Sequence, residues 1–314
     1  MAIEPTPEMA AILRMVEEEN LPAWETYPHA EARHLSVERN AFWNEGNPAV
    51  ARVEDLVLET SPRPVPVRLY VPEGAAETGP AIIYLHGGGW VICSLDTHDG
   101  VCRRLANASG MRVVSVDYVM APEFPFPAPL EDCVAAVRAT HAQAARFGID
   151  PDRLAIAGDS AGANLSLATL MKLRDEGGPE IKAGGLIYGV YADDHTTESH
   201  RAWGGGGYIL STATMDWFWN AYVPDRQQRQ DPYAAPLHAK DFTGLPPLFL
   251  SAAELDCLKD DTVQILPKLQ ADGVETEYSL WKGVTHACIM FSRMLPDADR
   301  QIEEVAAFLT KKLG

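Results

Sequence analysis

Ala157-Gly158-Asp159-Ser160-Ala161-Gly162-Ala163 joins a short apolar run, Arg153-Leu154-Ala155-Ile156-Ala157, to a segment of small, helix-forming residues that reaches Arg174. The spacing predicts a buried strand that passes through a tight turn into a helix, with Ser160 at the turn. A G-x-S-x-G sequence in that setting strains the serine backbone and exposes its Oγ at a sheet edge. Glycine is needed two residues to either side, because a Cβ there would strike the neighbouring strand or helix. The following helix aims its N-terminal N–H groups and positive dipole end at whatever the serine attacks. Read alone, the pentapeptide also fits a strand-to-helix loop with no chemistry.

The surrounding rhythm decides between fold classes. Unalternated apolar runs at 81–85, 112–116, 153–157, 185–188, 247–252 and 276–281 are separated by helical patterns near 98–109, 130–147, 161–176, 259–272 and 297–313. Strands that are apolar on both faces and spaced by helices imply an α/β fold with a mainly parallel sheet covered on both sides. Upstream, Val65, Val67, Leu69 and Val71 alternate as a strand does, and Leu56-Val57-Leu58 is the expected hairpin partner. The first 45 residues read as helices, with Met9, Ile12, Leu13 and Val16 on one face and Pro22, Pro28 and Pro48 as breaks.

Residues 190–245 interrupt the rhythm: they carry no clear strand and are dense in aromatics, among them Trp203, Tyr208, Trp217, Phe218, Trp219 and Tyr222. The expected organisation is therefore 1–45 as the N-terminal part of a helical cap, 46–189 and 246–314 as the two parts of the α/β core, and 190–245 as a cap insertion. The alternative for the aromatic segment is additional packing on the outside of the core.

Bulk properties narrow the partners. Forty-four acidic against 26 basic residues give a net charge of −18, which repels nucleic acid and anionic membrane surfaces. No apolar run approaches the roughly 20 residues of a membrane span, and the opening Met-Ala-Ile-Glu-Pro-Thr-Pro-Glu lacks the basic and apolar regions of a secretory signal. Five scattered cysteines without a C-x-x-C pair fit reduced thiols, so a cytoplasmic location is expected. His195 and His200, within Asp193-Asp194-His195-Thr196-Thr197-Glu198-Ser199-His200, match no strong metal-ligand spacing.

A serine is a weak nucleophile and needs a base, which in turn needs an orienting acid. In the order that a G-x-S-x-G serine takes its partners, the acid follows a later strand and the histidine follows the last one. His286 stands in that place, after Trp281-Lys282-Gly283-Val284-Thr285 and before the final helix. Asp256, at the end of Leu248-Phe249-Leu250-Ser251-Ala252-Ala253-Glu254-Leu255, is the expected acid, with Glu254 and Asp260 as rivals. Asp260 and Asp261 also suit the first turn of a helix, where the dipole favours them.

His86-Gly87-Gly88-Gly89-Trp90 follows directly from the strand at 81–85. Three glycines let the main chain come close to a ligand and aim N–H groups inward, so Gly88, Gly89 and Ala161 are the expected donors to a developing oxyanion. The run lacks the Lys-Ser/Thr ending of a P-loop and the spacing of a dinucleotide site. Gly204 to Gly207, a second glycine run, reads as a flexible turn.

Taken together, His86-Gly87-Gly88-Gly89-Trp90, Gly158-Asp159-Ser160-Ala161-Gly162, Asp256-Cys257-Leu258-Lys259-Asp260 and His286 resemble the hormone-sensitive-lipase-like branch of the α/β-hydrolases, the bacterial family IV esterases, in the Gly-Asp-Ser-Ala-Gly subgroup. The resemblance covers essentially the whole chain. It implies an α/β-hydrolase with a helical cap, a Ser160–Asp256–His286 triad, an oxyanion hole at Gly88, Gly89 and Ala161, no cofactor or metal, and a small-molecule ester as substrate. It also implies homodimerisation through an edge strand as an option. Trp90, Tyr191, Tyr208 and Trp217 are the expected substrate-binding side chains. Three positions depart from the family pattern: Val119 where it has Arg in Tyr-Arg-Leu-Ala-Pro-Glu, Cys257 where it has Pro, and Ala287 where it has Gly. The aromatic-rich lid and acidic surface suggest a small neutral ester. Hydrolysis of acyl esters of roughly two to eight carbons is therefore expected, a range and not one length because pocket shape discriminates single methylenes only weakly. A specialised ester, lactone, carbamate or amide would use the same machinery. A receptor on the same fold that does not turn over its ligand is a further alternative, which the presence of His286 opposes.

Overall fold

The computed structural model describes residues 3–314; Met1 and Ala2, at the head of the segment read above for a secretory signal, lie outside the described residues. Eight strands form one sheet: β1 (Arg52–Leu58), β2 (Val65–Val71), β3 (Gly79–Leu85), β4 (Arg112–Val116), β5 (Ile149–Asp159), β6 (Ala183–Ile187), β7 (Leu248–Leu255) and β8 (Thr276–Thr285). Their spatial order is β1-β2-β4-β3-β5-β6-β7-β8. β1 and β2 make the expected hairpin, with Leu56 opposite Val67, and β2 also lies antiparallel to β4. From β4 across to β8 all neighbours are parallel. This is the α/β-hydrolase arrangement that the strand pattern and the resemblance predict.

The apolar runs lack alternation because both faces of the sheet are covered. In β3, Ala81, Ile83 and Leu85 enter one core while Ile82 and Tyr84 enter the other. The first core is closed by α4 (Ala128–Ala142), α5 (Ala161–Glu176) and α8 (Lys259–Ala271), the second by α1 (Pro7–Glu19), α3 (Asp99–Ser109) and α9 (Pro296–Leu313). β1 is different. It alternates and is largely exposed, and its Arg52, Glu54 and Asp55 keep that edge charged, a feature that discourages strand pairing with other chains.

Two local expectations need correction. Met9 and Ile12 are buried on α1 as predicted, but Val16 is 40 % exposed: the helix leaves the core after its second turn. The helical pattern at 130–147 breaks at Ala142, and Ala144–Phe147 tightens into a 3₁₀ turn ended by Gly148 at φ +65°.

Between β6 and β7 the chain forms α6 (Glu198–Trp203) and α7 (Thr212–Tyr222) and no strand among the described residues. α7 buries Phe218, Trp219 and Tyr222 against the segment after β3, where the Tyr222 ring stacks on Trp90 at 4.2 Å. It meets the N-terminal region through Thr214, which donates to Glu25 at 2.7 Å, and through Trp217, which stacks on His29 at 4.6 Å. His29 opens α2 (His29–Ala41).

Candidate active site

β5 runs into α5 with Ser160 alone between them. The serine backbone sits at φ +54° and ψ −119°, a combination that side-chain-bearing residues rarely adopt. Its N–H donates to the Ile187 carbonyl at 2.8 Å, and its own carbonyl accepts from Ala163 and Asn164, so both sides of the turn are fixed. Gly162 explains the sequence pattern directly: a Cβ there would fall on the Leu85 carbonyl oxygen, and one on Gly158 would lie 2.5 Å from the Gly162 and Leu85 carbonyls.

The ends of β7 and β8 supply the partners. His286 Nε2 lies 2.8 Å from Ser160 Oγ, and His286 Nδ1 lies 2.7 Å from Asp256 Oδ2. The other carboxylate oxygen, Oδ1, accepts from the Leu258 amide at 2.9 Å, so Asp256 is held from both sides. Ser160, His286 and Asp256 are all buried. The Tyr188 ring packs 4.7 Å from the imidazole and limits its swing. The rival carboxylates have other tasks. Glu254 accepts from the Gly283 amide, and Asp260 accepts from the Ser199 amide at the start of α6. Asp261 accepts from the Tyr191 and Ala192 amides. Burial pushes its carboxyl up to about 7 against the opposing effect of those two donors.

The glycine run makes a tight turn after β3. The Gly88 carbonyl accepts from Val91 at 3.1 Å and Ile92 at 2.9 Å, and Gly88 and Gly89 take φ +108° and +58°. A Cβ on Gly89 would enter the Phe218 ring of α7. The Gly87 amide is committed to Asp159 Oδ1 at 3.0 Å. By contrast, the amides of Gly88, Gly89 and Ala161 find no acceptor among the described residues. For Ala161 this follows from its place in the first turn of α5, where no intrahelical carbonyl is available. The His86 ring stacks on Tyr118 at 4.5 Å. Burial lowers its pKa to about 4, so the ring is neutral, and its Nδ1–H donates to the Gly87 carbonyl at 2.7 Å.

The four aromatic candidates divide into two kinds. Trp90 and Tyr191 are fully buried, whereas Tyr208 and Trp217 keep part of their rings exposed. Phe218 covers Gly89 and packs 5.2 Å from Trp217. In sequence it was one member of an aromatic stretch, and nothing local separated it from its neighbours. Arg33 on α2 was not foreseen at all. Its guanidinium donates to the carbonyls of Val91 at 2.7 Å and Ala121 at 2.6 Å and pairs with Glu123. The absence of Arg at Val119 thus leaves Glu123 with a cation after all, delivered from the N-terminal region. Ala287, where the family pattern has Gly, stands at φ +60°. A polar surface depression of about 560 Å³ lined by Asn44, Asn47, Arg68, Asp96, Asp99 and Arg103 contains none of these groups, and its arginines are already paired with Asp55, Asp96 and Asp99. Among the described residues, no helix is long and apolar enough to cross a membrane.

A family model described as an alpha/beta hydrolase fold matches residues 82–290. Among solved structures, the chain is similar to an ester-hydrolase from the metagenome of Lake Arreo, determined in complex with a derivative of bipyridine phosphonate: 37% identity, 98% of each chain covered, TM-score 0.93. It is also similar to the hyperthermophilic esterase of the archaeon Pyrobaculum calidifontis, with 33% identity over 98% of this chain and 99% of that one and a TM-score of 0.94. A thermostable esterase from Pseudomonas putida matches over 100% of this chain and 99% of its own at 26% identity, with a TM-score of 0.95.

Proposed function

The chain belongs to the α/β-hydrolase-fold family and is a carboxylic ester hydrolase, and from that premise we propose that Ser160, His286 and Asp256 carry out its acyl transfer. The observation that carries the proposal is the unbroken hydrogen-bonded line from Ser160 Oγ through the imidazole to Asp256, at 2.8 and 2.7 Å, set on a strained turn. His286 Nε2 takes the serine proton as Oγ attacks the ester carbonyl. The carbonyl oxygen becomes an oxyanion held by the amides of Gly88, Gly89 and Ala161. Preorganised donors of this kind contribute about 3–4 kcal/mol each in the transition state. His286 then protonates the leaving alcohol, and a water attacks the acyl-enzyme by the same route to release the acid. Asp256 accepts from Nδ1–H throughout, which fixes the tautomer and steadies the imidazolium.

The His86–Trp90 and Gly158–Gly162 motifs support assignment to the hormone-sensitive-lipase-like branch and its Gly-Asp-Ser-Ala-Gly subgroup. Residues 1–45 and 190–245 act as a cap, a reading supported by the contacts of α7 with Glu25 and His29 on one side and with Trp90 on the other. The partly exposed Tyr208 and Trp217 and the buried Trp90 and Tyr191 supply the aromatic surface for the acyl or alcohol group. The substrate is a small neutral ester with an acyl chain of roughly two to eight carbons, since an aromatic cap over a short turn favours compact apolar groups.

Labelling with a fluorophosphonate, followed by mapping of the modified peptide, tests the nucleophile. The label is expected on Ser160 and lost in Ser160→Ala; equal labelling of both proteins refutes the assignment. A panel of chromogenic esters tests the substrate class. Faster turnover of emulsified long-chain triglyceride than of butyrate or hexanoate esters refutes it.

A further inference from the structure

We propose that Asp159 is a positioning residue for ester hydrolysis, its carboxylate fixing the glycine turn that presents the oxyanion donors against the turn that presents Ser160. The proposal rests on the assignment of Gly88, Gly89 and Ala161 as those donors. Asp159 precedes the nucleophile, is only 3 % exposed, and takes no part in the proton transfers described above. Its carboxylate nevertheless collects donors from four segments of the fold. Oδ1 accepts from the Tyr84 hydroxyl of β3 at 2.7 Å and from the Gly87 amide at 3.0 Å. His98 Nε2, beside the start of α3, lies 3.2 Å from Oδ1 and 3.4 Å from Oδ2. The Tyr188 hydroxyl, after β6, reaches Oδ2 at 3.5 Å.

Burial alone pushes the Asp159 carboxyl up, but the adjacent His98 and the Tyr84 hydroxyl outweigh it and hold the group below the usual carboxylate range. A buried anion with this set of donors is rigid, because any displacement strands a donor or the charge itself.

Gly87 shows what the rigidity is for. A Cβ on Gly87 would lie 2.5 Å from Asp159 Oδ2 and 2.9 Å from its carbonyl oxygen. The first glycine of the run therefore serves to admit this carboxylate, whereas the next two serve the turn itself. Because the Gly87 amide is bound to Asp159, the two amides that follow it are set in direction relative to Ser160, the very next residue after the anchor. Tyr188 extends the same arrangement to the base, since its ring packs on His286 while its hydroxyl faces Asp159. A misplacement of about 1 Å in such a site costs on the order of 10²-fold in rate.

The test compares wild type with Asp159→Leu, which has the same branched shape with bulkier ends and cannot accept a hydrogen bond, and Asp159→Asn, whose Oδ1 still accepts from Gly87 and Tyr84. The readouts are kcat and KM on a short chromogenic ester and the inhibition constant of a matching trifluoromethyl ketone, which adds Ser160 Oγ and needs the oxyanion donors. For Asp159→Leu, kcat and ketone affinity are expected to fall together by about 10²-fold, with KM within about threefold of wild type. Asp159→Asn is expected to recover at least about tenfold of that loss.

A folded leucine variant with ketone affinity within threefold of wild type overturns the proposal, as does an asparagine variant no better than leucine. If the leucine variant does not melt cooperatively, the asparagine variant decides alone: a loss of about 10²-fold in ketone affinity, with a native melting transition, overturns it. Ser160→Ala is measured alongside. If that variant keeps wild-type turnover, the underlying site assignment fails; if it is inert and Asp159→Leu is not impaired, only the role of Asp159 fails.

Discussion

Replacing Ser160 with alanine and with glycine separates the chemistry of the proposed nucleophile from the strain beneath it. Both changes remove Oγ and its hydrogen bond to His286, so that loss cancels in the comparison. Alanine retains a Cβ at φ +54° and ψ −119°, where a side-chain-bearing residue costs on the order of 1–3 kcal/mol. Glycine is free of that cost but loses more backbone entropy on folding, about 0.7 kcal/mol, and gives up the Cβ contacts of a buried position, about 0.5 kcal/mol. With strain in the middle of its range, the glycine variant is more stable than the alanine variant by about 1 kcal/mol. In a domain of this size that corresponds to a difference in Tm of about 2 °C. Urea unfolding followed by tryptophan fluorescence measures it, provided that the two proteins share one m value so that the midpoints compare directly. Both variants are expected to be inactive on chromogenic esters. An alanine variant as stable as the glycine variant, or more so, refutes the argument that the turn stores strain in order to expose Oγ.

Ala287→Gly relieves a second left-handed residue, φ +60°, beside His286. It is expected to raise stability by about 0.5–1 kcal/mol with ester turnover retained, read by thermal melting and a kinetic assay. Asp261→Asn is expected to change the pH dependence of stability. Because the folded pKa is raised from 3.8 to about 7, the native state holds an extra proton between those values, and that stabilisation is present below pH 4 and lost as pH rises through 7. Asparagine keeps an acceptor for the Tyr191 and Ala192 amides without the charge, so the Tm advantage of the variant over wild type is expected to grow from pH 4 to 8; a constant difference is the contrary result. Arg33→Ala leaves the Val91 and Ala121 carbonyls without their charged donor and is expected to cost about 2 kcal/mol in urea unfolding. No change in the urea midpoint would show that α2 docks without it.

The parts of the site that could be read in the sequence are those fixed by chain direction. Strands apolar on both faces announce a covered parallel sheet, and the serine turn, acid and histidine each follow a strand end, so their order along the chain stands in for their positions in space. Asp159 and Arg33 are a different case. Asp159 lies inside the very motif that identifies Ser160, yet its donors come from Tyr84, Gly87, His98 and Tyr188, and no local pattern states which buried tyrosine or histidine will face it. Arg33 shares the packed face of α2 with Ala32 and Ser36, a face without an apolar stripe in the sequence to mark it; only the folded chain brings the Val91 and Ala121 carbonyls within its reach. Phe218 was hidden for a third reason. A helix rich in aromatics buries several of them, and which one meets Gly89 depends on the docking angle of α7. Val16 failed in the opposite direction, because helical spacing marks a face but not how far the face stays covered.

The line from Ser160 to His286 spans 126 residues of sequence. At synthesis rates of about 5–20 residues per second, the serine turn precedes its base by on the order of 6–25 seconds. During that interval the growing chain has β3, β5 and the glycine turn but nothing to draw the proton from Oγ. α1 waits longer than any other element, because the Thr6 amide just before it finds its acceptor on Gly283, near the end of β8. On the proposed assignment of Ser160 and His286, hydrolysis therefore waits until synthesis is nearly complete, and a chain cut short before β8 is expected to carry a serine that is well presented and inert.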